Sequence, residues 1–179
     1  AKNDIKLCES ILKKYDLIKK KLNNLKIIKN YENKNHIQEG ELKILNILKN
    51  TKNLGNMLDI GVGGGRTTYH FSNLFKEYIG VDIADNYFIK LSEKYPKYKF
   101  IMKDILSCDF TEKFDFVLFS HNGIDYSKNI NDFIKFIDKM YNLTNKYIAF
   151  SSHNILIKKL DLNYKIFIEN VCRSGEDIN

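Results

Sequence analysis

Gly61, Gly63 and Gly65 alternate with single residues between an acid, Asp59, and a base, Arg66. Glycine at this spacing lets the chain turn tightly through dihedrals closed to other residues, and it keeps side chains from holding a ligand off the backbone. Two further acids, Asp82 and Asp104, each close or closely follow a later apolar run. His121 and His153 also follow apolar runs, so both could point into one cleft. An imidazole with an unperturbed pKa near ~6.5 is a usable base near neutrality, and His121 is the preferred candidate to take a proton from a reacting hydroxyl, with His153 second. A solvated or turn-capping histidine is the plain alternative for each.

These residues need strands to present them. The runs 57–60, 78–82, 98–102, 114–120 and 147–151 read as strands, and helical patterns fill 66–75, 86–95 and 131–141 between them. Strands separated by helices predict an α/β, Rossmann-like, doubly wound and mainly parallel sheet with helices on both faces. Ligands bind such sheets beyond the carboxyl ends of the strands, where the strand order reverses, and the glycine turn after the first strand falls there. A helical extension over residues 1–50 precedes the domain of residues 51–179. Its first helix repeats apolar residues at Ile5, Cys8, Leu12, Tyr15, Ile18, Leu22 and Leu25, and its second at Ile37, Leu42, Leu45 and Leu48. The first is expected to pack on its own domain, with a pairing helix in a homodimer as the alternative. Tyr31 and His36, just before the second helix, are candidates for a lid or for a structural role.

The dinucleotide fingerprint G-x-G-x-x-G fails here, because Arg66 stands at its last glycine. The segment Leu58-Asp59-Ile60-Gly61-Val62-Gly63-Gly64-Gly65-Arg66-Thr67 instead resembles the first motif of class I S-adenosylmethionine-dependent methyltransferases. The resemblance continues through Gly80-Val81-Asp82-Ile83, Lys103-Asp104-Ile105 and the fourth strand ending at Ser120, and covers roughly residues 37–154. It implies S-adenosylmethionine as cofactor, with Asp59 toward the methionine ammonium and Gly61, Gly63, Gly65 and Arg66 around the turn. It further implies Asp82 with Ile83 at the ribose hydroxyls, Asp104 with Ile105 at the adenine, Ser120 among the cofactor-binding residues, and the residues after Ser120 facing the transferred methyl. A carboxylate suits a vicinal diol because it offers two acceptor oxygens to two donors. Asn122 would orient the acceptor or the methionine end, while Gly123 serves the turn.

Many enzymes of this fold that methylate nucleic-acid amino groups carry an Asn/Asp-Pro-Pro-aromatic tetrapeptide after the fourth strand. This chain reads Ser120-His121-Asn122-Gly123-Ile124-Asp125-Tyr126 there, without proline. The string resembles a bacterial subgroup acting on small molecules, often in surface saccharide biosynthesis. A small-molecule or sugar-linked acceptor, O-methylated, is therefore expected. RNA methylation and an NAD(P)-dependent enzyme are the alternatives, and a partner protein that has lost the chemistry is disfavoured by three intact acids.

The 179 residues suit one domain, and 44% apolar residues can fill a core. Net charge is +7, with lysines spread along the chain rather than clustered, so nucleic acid is disfavoured and the excess would at most favour an anionic acceptor. Cys8, Cys108 and Cys172 lack paired spacing, which suggests neither a disulfide framework nor a metal site and fits a reducing cytoplasm. The family's sheet closes with two more strands. Residues 164–168 could supply one, so the edge is expected to be reduced or completed by residues absent from this sequence.

Overall fold

Short apolar runs alternating with helices are best buried as a sheet covered on both faces. A computed structural model describes residues 36–127 and 129–152, together with Lys13, Asp16, Leu17 and Lys20. In chain order the elements are α1 (Glu39–Lys49), β1 (Asn56–Ile60), α2 (Arg66–Phe71), β2 (Glu77–Asp82), α3 (Phe88–Lys94), β3 (Lys99–Met102), β4 (Phe114–Phe119), α4 (Ile130–Leu143) and β5 (Thr144–Phe150). Every strand pairing is parallel, and the order across the sheet is β3-β2-β1-β4-β5. The order reverses between β1 and β4, which opens a crevice at their carboxyl ends.

Strand alternation divides the core in two. Met57, Tyr78, Phe116 and Leu118 point to one face, where Leu45 and Leu48 of α1, Phe71 of α2 and Leu91 of α3 cover them. Leu58, Ile60, Val81, Val117 and Phe119 point to the other, under α4. Helix α4 starts at Asn129, whose side chain accepts from the Asp132 N–H. It then buries Phe133, Ile137, Met140 and Leu143 at steps of three and four. Full burial of each such side chain contributes about 2 kcal/mol.

The amino ends of the strands carry a latch of their own. Asp115 Oδ2 accepts from the Gly55 N–H at 2.7 Å and from Lys146 Nζ at 2.9 Å, and Lys146 also donates to the Asn53 carbonyl at 3.0 Å. The loop before β1 and the starts of β4 and β5 are thereby joined at the end of the sheet opposite the crevice.

The periodicity expected for α1 needs one correction. Leu42 is 43% exposed, while Glu41 occupies the buried position in its stead at 4% exposure. The buried stripe is Glu41, Leu45 and Leu48, so one member of an apolar face is a carboxylate. Strand β5 starts at Thr144, directly after α4 and three residues before the expected start, because the Thr144 hydroxyl bonds the Phe114 carbonyl at 3.2 Å. Lys13, Asp16, Leu17 and Lys20 are helical and exposed. The apolar face expected on that helix, the homodimer pairing, Tyr31, His153 and residues 164–168 lie outside the described residues. Among the described residues no helix is long and apolar enough to cross a membrane.

Candidate active site

The strand register brings the predicted residues to one edge. Ile60 pairs with Val81 and with Phe119, and Asp82 pairs with Met102, so Gly61, Ile83, Lys103 and Ser120 all leave the sheet at the same end. The turn itself follows β1 with Gly61, Gly63 and Gly65 at φ of 71°, 49° and 81°. Other L-residues adopt such dihedrals only with strain. At Gly65 an added Cβ would also stand 2.6 Å from Leu91 Cδ2 and 3.0 Å from Tyr95 Cε2. At Gly63 the nearest atom to such a Cβ is the Gly61 carbonyl oxygen at 4.0 Å. One glycine is thus needed for packing, while the other borders open space along which a ligand can approach the backbone. Gly65→Ala should lower unfolding stability by about 2 kcal/mol, combining dihedral strain and overlap. Chemical denaturation of the variant measures this, and an unchanged midpoint would contradict it.

Asp59 lies under the turn with 0% exposure. Its Oδ2 accepts from Thr67 Oγ1 at 2.5 Å and from the Tyr78 hydroxyl at 2.6 Å, and Tyr78 in turn pairs with Thr68 Oγ1 at 2.8 Å. Its Oδ1 is buried with no hydrogen-bond partner among the described residues. Burial pushes the Asp59 carboxyl up to about 7, against the hydrogen bonds from Thr67 and Tyr78 that pull it down. Burial and the neighbouring Asp59 push the Tyr78 phenol well above its ordinary value, so it remains a donor. A buried carboxylate oxygen without a partner is costly, and a cationic or N–H group arriving at the turn would relieve it.

Asp82 ties the turn to β2. Its Oδ2 accepts from the Gly63 N–H at 2.8 Å and its Oδ1 from the Ala84 N–H at 2.9 Å. Burial raises its carboxyl above the usual value, against those backbone donors. Two carboxylate oxygens offer about four acceptor positions, so this carboxylate can hold the turn and still receive a pair of hydroxyls. Asp104 caps the short turn after β3, its Oδ1 accepting from the Leu106 N–H at 2.9 Å. Ile105 beside it is buried at 4% exposure, and Ile83 is half-buried. Together they provide an apolar flank and an acceptor, the requirements of a planar nitrogenous base.

The loop after β4 is held from two sides. His121 and Asn122 both have φ of 55°, and the Asn122 N–H donates to Ser151 Oγ at 2.8 Å beyond the end of β5. Ser152 donates to Asp125 in the same loop. On the opposite side, Gln38 Nε2 lies 3.0 Å from His121 Nδ1. Arg66 does not line open space. Its guanidinium grips Glu41 in a bidentate pair at 2.5 and 2.7 Å, reaches Ser120 Oγ at 3.4 Å and bonds the His36 carbonyl at 3.2 Å. Burial pushes the Glu41 carboxyl up, but Arg66 outweighs it and holds the group below its usual value.

Asp59, the three glycines, Asp82, Ile83, Asp104, Ile105, Ser120, His121 and Asn122 therefore surround one edge of the sheet. Arg66 and Ser120 also bind α1 to that edge. Glu41, Gln38, Thr67 and Tyr78 were not anticipated. For Glu41 a signal existed, since a stripe of Ile37, Glu41, Leu45 and Leu48 fits helical spacing as well as one through Leu42. Gln38 and Tyr78 carry no signal that one sequence reveals. Among the described residues no cluster of His, Cys, Asp or Glu could hold a metal ion.

A parallel sheet reversing between β1 and β4, with a glycine turn and strand-end acids at the reversal, defines the Rossmann-like fold of class I S-adenosylmethionine-dependent methyltransferases. The family model described as a methyltransferase domain matches residues 57–146, and the chain belongs to that family. Solved structures agree on the fold. An S-adenosylmethionine-dependent methyltransferase from Clostridium acetobutylicum matches with TM-score 0.55 and 20% identity over 60% of this chain and 46% of its own. The N-methyltransferase NodS from Bradyrhizobium japonicum, in complex with S-adenosyl-L-homocysteine, matches with TM-score 0.59 and 17% identity over 76% of this chain and 71% of its own. CalS10, an amino pentose methyltransferase from Micromonospora echinaspora, matches with TM-score 0.57 and 14% identity over 62% of this chain and 48% of its own. The chain thus spans about half the length of the first and third of these. A sequence search of curated proteins finds no match.

Proposed function

We propose that this chain binds S-adenosylmethionine across the carboxyl ends of β1, β2 and β3 and transfers its methyl group to a small-molecule or sugar-linked acceptor. The observation that carries the reading is the buried, partnerless Asp59 Oδ1 beneath a glycine turn whose middle glycine borders open space. That arrangement fits a ligand with an ammonium group better than a pyrophosphate, which a buried carboxylate would repel. Asp82 receives the ribose hydroxyls, and Asp104 with Ile105 the adenine. When bound, the cofactor supplies a methyl activated by a positive sulfur. The chain's part is to align the acceptor with that methyl and to keep the approach in line. His121 and Asn122 touch the acceptor, on a loop pinned by Ser151.

The acceptor class draws on the loop string from Ser120 to Tyr126, which resembles the small-molecule subgroup, and on sugar and N-methyl transfer in the names of structural neighbours. A hydroxyl of a bacterial surface saccharide, methylated in the cytoplasm, is the acceptor this reading puts first. Calorimetry with S-adenosylmethionine and its demethylated product tests the cofactor, and a labelled-methyl screen of saccharide hydroxyl and amino acceptors tests the transfer. Absence of cofactor binding would overturn the reading. His121→Ala should remove turnover on the acceptor so found while changing cofactor affinity less than about twofold. Unchanged turnover would take His121 out of the mechanism.

A further inference from the structure

Both hydroxyls that bond Asp59 take the same oxygen. Thr67 and Tyr78 donate to Oδ2 at 2.5 and 2.6 Å, and Oδ1 receives nothing among the described residues. The strand register explains the second donor. Asp59 lies opposite Gly80, which brings no side chain, while Met57 lies opposite Tyr78. Residues two apart share a sheet face, so Tyr78 is the diagonal neighbour of Asp59, and a long aromatic side chain spans such a step. Its buried ring is fixed there by Tyr98 and Phe100, whose centroids lie 5.2 and 6.3 Å away.

The direction of the hydrogens follows from their number. An ionised carboxylate only accepts, so the Tyr78 hydroxyl gives its one hydrogen to Asp59. Thr68 Oγ1 is fully buried 2.8 Å from that hydroxyl and must then donate to it. All three hydroxyls thus favour the charged form, Thr67 and Tyr78 directly and Thr68 through Tyr78. Burial acts against them. Of the other charges, Arg66 on α2 favours ionised Asp59 and Glu41 on α1 opposes it, while these two grip each other. Tyr95, just after α3, acts on the Tyr78 phenol. Resting on the methyltransferase reading above, we infer that Tyr78 is a positioning residue that favours the ionised Asp59 required by the cofactor's ammonium, and so sets the pH range of cofactor binding. It acts through Asp59. Where Asp59 is neutral, Oδ1 is the oxygen left to hold the proton, and cofactor binding releases that proton to solvent.

Carbon NMR on protein labelled at its aspartate carboxyl carbons follows Asp59 from about pH 5.5 to about 8.5, its signal assigned by loss in Asp59→Asn. Tyr78→Phe should move the midpoint up by about one pH unit, the value of a hydrogen bond to a charged group. Calorimetry with S-adenosylhomocysteine over the same range should show the variant binding about tenfold more weakly near pH 6 but less than about twofold more weakly near pH 8.5. A tyrosine that only fills space would weaken binding by one factor at every pH. That result would overturn the inference, and so would an unmoved midpoint. Because Tyr78→Phe leaves the Thr68 hydroxyl without its partner, the double variant Tyr78→Phe with Thr68→Val removes both hydroxyls and carries the same test without that burden. A parent that fails to bind S-adenosylhomocysteine would remove the methyltransferase reading, while the carboxyl titration still decides what Tyr78 does to Asp59, so the two failures are distinct.

Discussion

Asp59→Asn is expected to weaken S-adenosylmethionine binding roughly tenfold to a hundredfold, the value of one charge-assisted hydrogen bond, while making the ligand-free protein more stable above neutral pH. The second effect follows from the carboxyl's raised value of about 7, against 3.8 for an ordinary aspartate. Between those values the folded protein holds a proton that the unfolded chain releases, so stability falls as pH rises from about 4 to about 7 and stays lower beyond. Asparagine carries no such penalty. Its amide nitrogen in place of Oδ1 would be unpaired, so the gain at pH 8 should be about 2 kcal/mol and less than the full linkage value. The same carboxyl makes binding to the parent pH-dependent. A cofactor ammonium favours ionised Asp59, so affinity should fall about tenfold per pH unit below 7 and level off above it. Calorimetry from pH 5 to 8 measures this. A flat affinity profile, or an Asn variant that binds as tightly as the parent, would separate Asp59 from the ammonium.

The second large effect concerns Glu41. Glu41→Gln leaves the Arg66 guanidinium largely buried without its counter-charge and should cost about 3 kcal/mol, at the low end for breaking a buried pair because the His36 carbonyl still accepts from it. Replacing both partners, as Glu41→Met with Arg66→Met, should recover most of that loss, because no charge then remains to be compensated. Denaturant unfolding of the single and double variants measures both. Additive losses would mean that the pair is not coupled. The pH sign here is opposite to that of Asp59. The Glu41 carboxyl is held below its usual value, so its contribution is present above that value and is lost as pH falls through the folded one. Acid therefore loosens α1 from the site, whereas a rise in pH toward neutrality burdens the floor beneath the turn.

Much of this was legible in the chain because short apolar runs and glycine signals are local. The run 57–60, the alternating glycines and the acids at the ends of β2 and β3 needed only their own neighbours to be read. Side-chain partners across elements were not legible. Arg66 reads as a turn residue next to a ligand, yet it turns back to a carboxylate that comes 25 residues earlier. Glu41 was hidden by the preference for placing Leu42 in the stripe, a choice that a buried counter-charge overrides. The tie between Gln38 and His121 spans 83 residues and depends on a left-handed dihedral that no residue type at His121 announces.

The latch of Asp115, Gly55, Lys146 and Asn53 sits at the far end of the strands from every residue that would handle cofactor or acceptor. That separation gives the chain two independent margins for change. Sequence drift at the latch alters how much destabilisation the fold tolerates, and drift at the crevice alters what it accepts. A lineage that strengthens the first acquires room to experiment with the second. A stabilised background built from latch substitutions is accordingly the natural starting point for selecting new acceptor preferences in the loop that follows β4.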